Sequence, residues 1–139
     1  MKVLIDTNVV LDVLGKREPF VEHSTAILML AGSQKISASI TANTVTDIYY
    51  LLRKHISSKE AVKEAMLGLM DVLDVVDVTR NDYIKAFDLL IADYEDALLV
   101  HCAKRTKAEY IITRNTKDFV NSPVEAIAPE DFLIRFFNE

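Results

Sequence analysis

Hydrophobic positions follow two rhythms along this chain. Lys2-Val3-Leu4-Ile5 is a short apolar run cut off by Asp6, too short for a helix and bounded as a buried strand would be. Residues 8–14 predict a brief helix. Pro19, whose missing N–H costs nothing at a first helical position, predicts the start of a second that ends at Gly32. Lys35-Ile36-Ser37-Ala38-Ser39 reads as another strand. Thr41 then suits an N-cap, because Val45, Ile48, Tyr49, Leu52 and Ile56 recur at helical spacing. Ser57-Ser58-Lys59-Glu60 has the form of a capping box and predicts a further helix start. Leu73 to Val78 alternates as a strand does. Thr79-Arg80-Asn81-Asp82 opens a helix expected to run to about Ala92, and Asp93 caps one running to about Thr106. Tyr110-Ile111-Ile112-Thr113 and Val124-Glu125-Ala126-Ile127 supply two more strands, and Pro129-Glu130-Asp131 opens a terminal helix.

Strands alternating with helices predict an α/β fold, with a mostly parallel sheet covered on both faces. In such folds ligands bind outside the carboxyl ends of the strands. The 139 residues contain no linker, repeat or low-complexity tract, so residues 1–139 read as one domain. A single Cys excludes a disulfide framework or a thiolate zinc site and fits a reducing compartment. Mean hydropathy is high, at +0.16, yet no run of 18 apolar residues occurs, so no membrane association is expected. Asp6 and Asp12 interrupt the apolar start where a signal peptide would need a continuous core, and a cytoplasmic location is expected. A net charge of −5 excludes a protein that coats nucleic acid by bulk charge. Any such contact must be local or helped by cations.

Chemistry gathers where the strands end. Asp6-Thr7-Asn8 follows the first strand, and Thr113-Arg114-Asn115 follows the fourth, with Asp118 three residues on. Asp96 falls in the first turn of the helix capped by Asp93. Asp47 lies off the apolar face of the helix after the second strand. Each acid has an ordinary reading: Asp6, Asp93 and Asp118 suit caps, Asp47 a solvated helix face, and Asp12 an exposed or paired position. As a set, carboxylates sharing one crevice repel one another, so some hold protons or a cation neutralises them. Hard oxygen donors without convergent His or Cys favour Mg²⁺ or Mn²⁺, ions suited to phosphate chemistry.

These residues resemble a known family. Leu4-Ile5-Asp6-Thr7-Asn8-Val9-Val10-Leu11-Asp12, Asp93-Tyr94-Glu95-Asp96-Ala97-Leu98 and Tyr110 to Phe119 are similar, in order and spacing, to the PIN-domain family, of the kind found as VapC-type toxins. Pro129-Glu130-Asp131-Phe132-Leu133 adds to the likeness. The resemblance implies a three-layer α/β/α sandwich with a parallel sheet of about five strands. It implies a Mg²⁺- or Mn²⁺-dependent ribonuclease, the toxin of a toxin–antitoxin pair. Asp6, Asp47 and Asp96 would be the catalytic metal ligands, with Asp118 a further one. Thr7, Asn8, Asp93, Thr113 and Asn115 would support them, and Arg114 and Lys117 would contact substrate phosphates. Two positions depart from the family pattern: Asp47 stands where many members carry Glu, and Asn115 where many carry Asp. The implied partners are RNA, a protein antitoxin and a second copy of the chain, with the terminal helix and the 45–56 stripe as candidate surfaces.

Other functions fit less well. A phosphatase with a nucleophilic Asp6 would want an acid two residues on, where Asn8 stands. A receiver-like domain would want an acid pair after the first strand. A PIN fold without catalysis, serving as an RNA-binding or interaction module, is the alternative that Asp47 and Asn115 keep open. Cys102 reads as a core thiol, and His23, His55 and His101 as structural.

Overall fold

The computed structural model describes residues 1–137. Five strands form one sheet: β1 (Lys2–Ile5), β2 (Ser37–Thr41), β3 (Asp74–Val76), β4 (Tyr110–Ile112) and β5 (Glu125–Ile127). Seven α-helices connect and cover them: α1 (Thr7–Leu14), α2 (Val21–Gly32), α3 (Ala42–His55), α4 (Lys59–Val72), α5 (Arg80–Ala86), α6 (Tyr94–Arg105) and α7 (Pro129–Phe137). The strand order is β3-β2-β1-β4-β5 and every pairing is parallel. The chain therefore winds outward from β1 in one direction, then returns to continue in the other. The reversal falls between β1 and β4, where this class of fold opens its crevice.

Strand alternation sorts the core into two layers. Val3 and Ile5 of β1 point to one face, with Ile40, Ile112 and Ile127, and pack under helices α1, α2, α3, α4 and α7. Leu4 and Ile111 point to the other face and meet α5 and α6 through Ala86, Leu98, Leu99 and Cys102. The expected α/β/α sandwich is the observed architecture. Phe132 is wholly buried and packs with Tyr110 and Phe136, so the aromatics of α7 largely serve the core.

Four local expectations are corrected. Pro19 lies outside α2, because the Phe20 N–H closes a turn onto the Arg17 carbonyl and the helix begins two residues after the proline. β2 sits two residues later than expected, pairing as far as Thr41, which is both strand end and helix cap. The cap of α4 is Ser58, whose hydroxyl accepts the Ala61 N–H; Ser57 and Glu60 form no box. Helix α5 stops at Ala86, where its ladder tightens to three-residue bonds, and Phe87 and Leu90 are left exposed. A true capping box does start α5: Thr79 and Asp82 exchange bonds, and Arg105 grips Asp82 with two hydrogen bonds. Burial would raise the Asp82 carboxyl, but Arg105 and Thr79 outweigh it and hold the group below its ordinary range. Cys102 is buried and its thiol is pushed up to about 11, first by burial and then by Asp82.

Candidate active site

Asp6 is the first residue past β1 and the N-cap of α1. Its backbone N–H still bonds the Ile112 carbonyl of β4 at 2.9 Å, so the carboxylate starts from the centre of the sheet. Three donors hold it. The Thr7 backbone N–H reaches Oδ1 at 2.8 Å, the Thr113 hydroxyl reaches Oδ2 at 2.8 Å, and the Asn8 amide reaches Oδ2 at 3.3 Å. Thr113 in turn accepts from the Asn8 amide at 3.2 Å and from the Asn115 backbone N–H at 3.1 Å. The Asn8 carbonyl oxygen accepts the Arg114 backbone N–H. One fully buried hydroxyl thus ties the loops after β1 and β4 together around a carboxylate.

Other acids surround it. Asp93 caps α6 through a 2.9 Å bond from the Asp96 N–H, which directs the first turn of that helix toward Asp6. Burial raises the Asp6 carboxyl above its ordinary value; the Thr113 and Thr7 bonds pull it back, and Asp118 and Asp93 push it up again. Asp96 is pushed up to about 7, by burial first and then by Asp93, Asp6, Asp118 and Glu95. Glu95 is raised by burial, then by Asp47, Asp93 and Asp6. Asp47 therefore joins the group through its influence on Glu95. Glu95 was not singled out by sequence, although three acids within one helical turn were a visible signal. None of these six acids forms an ion pair with a Lys, Arg or His of the chain among the described residues.

Lys117 lines the same cleft as Asp93, Asp96 and Asp118, in the short 3-10 turn Thr116–Phe119 that follows β4. Arg114 does not face it. Its guanidinium makes two hydrogen bonds to Asp12, a wholly buried residue of α1, and lies 4.0 Å above the Phe20 ring. A buried acid demands a partner, and Arg114, expected from sequence to contact substrate phosphate, is held on Asp12 as that partner. Asn115 is exposed and contributes its backbone N–H rather than its side chain.

A sequence model of the PIN domain matches residues 2–117. The chain belongs to the PIN-domain family. Among curated proteins none matches the sequence. Several solved PIN-domain structures share the fold. A chain of the VapBC2 complex of Rickettsia felis, bound to a DNA fragment from its promoter, superposes with a TM-score of 0.71 and 18% identity, covering 92% of this chain and 98% of that one. A chain of the FitAcB structure from Neisseria gonorrhoeae gives 0.69 at 18% identity, over 92% and 98%. VapC20 of Mycobacterium tuberculosis, described as a toxin that cleaves the sarcin–ricin loop, gives 0.62 at 16% identity, over 78% and 86%. The fold of this PIN domain is thus that of chains found in toxin–antitoxin complexes.

The donor set of this PIN domain suits a hard divalent cation in its chemistry. It is all carboxylate, Asp6, Glu95 and Asp96 are raised by burial and by their acidic neighbours, and none of the acids forms an ion pair with a Lys, Arg or His among the described residues. No three Asp, Glu, His or Cys side chains among the described residues close on one point. No described helix is long and apolar enough to cross a membrane.

Proposed function

We propose that this PIN domain is a ribonuclease dependent on Mg²⁺ or Mn²⁺, hydrolysing RNA phosphodiester bonds as the toxin of a toxin–antitoxin pair. The observation that carries the reading is the gathering at the β1/β4 switch point of carboxylates without ion-pair partners among the described residues, where burial and neighbouring acids push Asp96 up to about 7. A cation bound there would offset charge on the phosphoryl oxygens and make a water more acidic. Asp6 and Asp96 would be its main ligands, with Asp118 and Asp47 reaching from either side. The chain's own work is positional. Thr7, Asn8 and Thr113 fix both oxygens of Asp6, and Asp93 fixes the turn that carries Asp96. Asp96 would hold a proton until a cation displaces it. Lys117, at the cleft wall, would meet the incoming phosphate, a role in which one cation positions without reading sequence.

The protein antitoxin belongs to the same reading, supported by the complexes from which the similar chains come, and the homodimer follows from the family resemblance alone. An apolar groove between α3 and α4, walled by Val45, Tyr49, Met66 and Met70, is the surface left open by the 45–56 stripe.

The test is cleavage of mixed structured RNAs by purified protein, in Mg²⁺, in Mn²⁺ and in EDTA, with Asp6→Asn in parallel. Cleavage that needs metal and disappears in the variant supports the reading. Equal cleavage by the variant rejects the site. A second reading, a PIN fold that binds RNA or protein without cutting, draws on the two departures from the family pattern, Asp47 in place of Glu and Asn115 in place of Asp. Weak Mn²⁺ binding together with absent cleavage would favour it.

A further inference from the structure

A second concavity opens at this edge of the sheet, on the side of α2 and α7. It encloses about 290 Å³ and is lined by Phe20, His23, Ser24, Arg114, Pro129 and Glu130, among others. Three observations set it apart. The central guanidinium carbon of Arg114 lies 4.0 Å from the centre of the Phe20 ring, and two bonds to Asp12 keep the group there, so a guanidinium over an aromatic face forms one wall. Ser24 is wholly buried, and its hydroxyl has no hydrogen-bond partner among the described residues. A helical serine can satisfy itself on the carbonyl four residues back, but the Phe20 carbonyl receives only the Ser24 N–H in this arrangement. A buried polar atom left without a partner calls for an explanation, and an occupant that bonds it is one. Finally, the Arg114 backbone N–H is held by Asn8, whose amide bonds Asp6, so one residue lines the cavity with its side chain and joins the loop around Asp6 with its backbone.

We propose that this cavity receives a nucleobase of the RNA chain, from a nucleotide beside the phosphate held at Asp6 and Asp96; the inference rests on the nuclease reading. The volume lies at the small end of ligand sites and suits one ring system. Unpaired bases are recognised by stacking on aromatic or guanidinium planes while their edges are hydrogen-bonded. Here the Arg114–Phe20 wall supplies the plane. The Ser24 hydroxyl, a donor and an acceptor, meets one part of the edge. The Glu130 carboxylate at the mouth accepts from an exocyclic amino group, and His23 offers a further ring nitrogen. Donors and acceptors facing an apolar slot suit a heterocycle better than an aliphatic side chain of a protein partner.

The experiment titrates each of the four nucleoside 5′-monophosphates into ¹⁵N-labelled protein without metal, following amide resonances, and repeats it with Ser24→Ala. The expected result is shifts confined to residues 20–25, Arg114 and 128–130, with one nucleotide preferred. Ser24→Ala, which removes an unsatisfied atom, should fold as the wild type and bind that nucleotide about three- to tenfold more weakly. Unchanged affinity in Ser24→Ala overturns the proposal, because a merely structural serine would behave so. Absence of shifts with every nucleotide also overturns it, and leaves the cavity to a protein side chain. Metal-dependent cleavage measured alongside separates the two readings. Cleavage without nucleotide shifts sinks the base pocket alone. Nucleotide shifts lost in Ser24→Ala but without cleavage sustain the pocket and sink the nuclease.

Discussion

The Thr113 hydroxyl donates a 2.8 Å hydrogen bond to Asp6 across 107 residues of sequence, joining the ends of two neighbouring strands at one carboxylate oxygen. That bond is the largest influence holding the Asp6 carboxyl down against its burial. Thr113→Val keeps the shape and removes it. The Asp6 carboxyl should then rise, and the acidic limb of a pH–rate profile should move to higher pH. The Asn8 amide and Asn115 N–H lose an acceptor as well, so stability in urea should fall by about 1 to 3 kcal/mol. A profile that does not move would mean that Asp6 does not govern the rate.

Asp12 is wholly buried, and Arg114 is its close partner, with Arg17 4.0 Å away and largely solvated. Arg114→Ala strands a carboxylate in the core and should cost about 3 to 5 kcal/mol in urea unfolding. Arg17→Ala should cost under about 0.5 kcal/mol. The double change Asp12→Leu with Arg114→Met should recover most of the loss, because an apolar pair of similar size needs no neutralisation.

Asp96 is raised from its ordinary 3.8 to about 7, so its ionised form is the less favoured one in the fold. The sign follows from linkage. Metal-free protein loses stability as pH climbs from about 4 to about 7, the window between the unfolded and folded values, and Asp96→Asn removes that loss. In melting curves the variant should match the wild type near pH 4 and exceed it at pH 8 without metal. Mn²⁺ at pH 8 should raise the wild-type Tm and raise the variant's much less. Identical Mn²⁺ shifts would remove Asp96 from the ligand set.

Asp47 acts on the cluster through Glu95, whose carboxyl it raises. Asp47→Glu lengthens the reach by one methylene and should keep or increase the rate of metal-dependent cleavage, whereas Asp47→Ala should lower it. Complete loss in Asp47→Glu would show that the shorter side chain is already the fitted one, or that it binds no metal.

Much of this architecture was legible because it is written in local pattern. Strand β1 ends where its apolar run meets Asp6, and Asp93 announces the start of α6 by its side chain alone. What could not be read depends on residues far apart. Nothing near Arg114 reveals that its partner is Asp12, 102 positions earlier, since the pairing exists only once α1 packs beside the end of β4. The early end of α5 escaped for a related reason. Phe87 and Leu90 continue an apolar pattern, but they stay in solvent, while Ala86 and Ile91 are buried and Leu89 packs against the core. Glu95 was visible within its motif, yet its place beside Asp47 required α3 and α6 to meet over the same sheet edge.

The order of the sheet also bears on how the protein is made. Its central strand is made before the four others, and the strand that leads into Thr113 is made before only one. A nascent chain therefore carries Asp6 with Thr7 and Asn8 long before Thr113 can reach it. Until residue 113 has left the ribosome, Asp6 lacks its hydroxyl and the cleft has no second wall. A chain cut before that point carries Asp6 and Asp96 but not the arrangement.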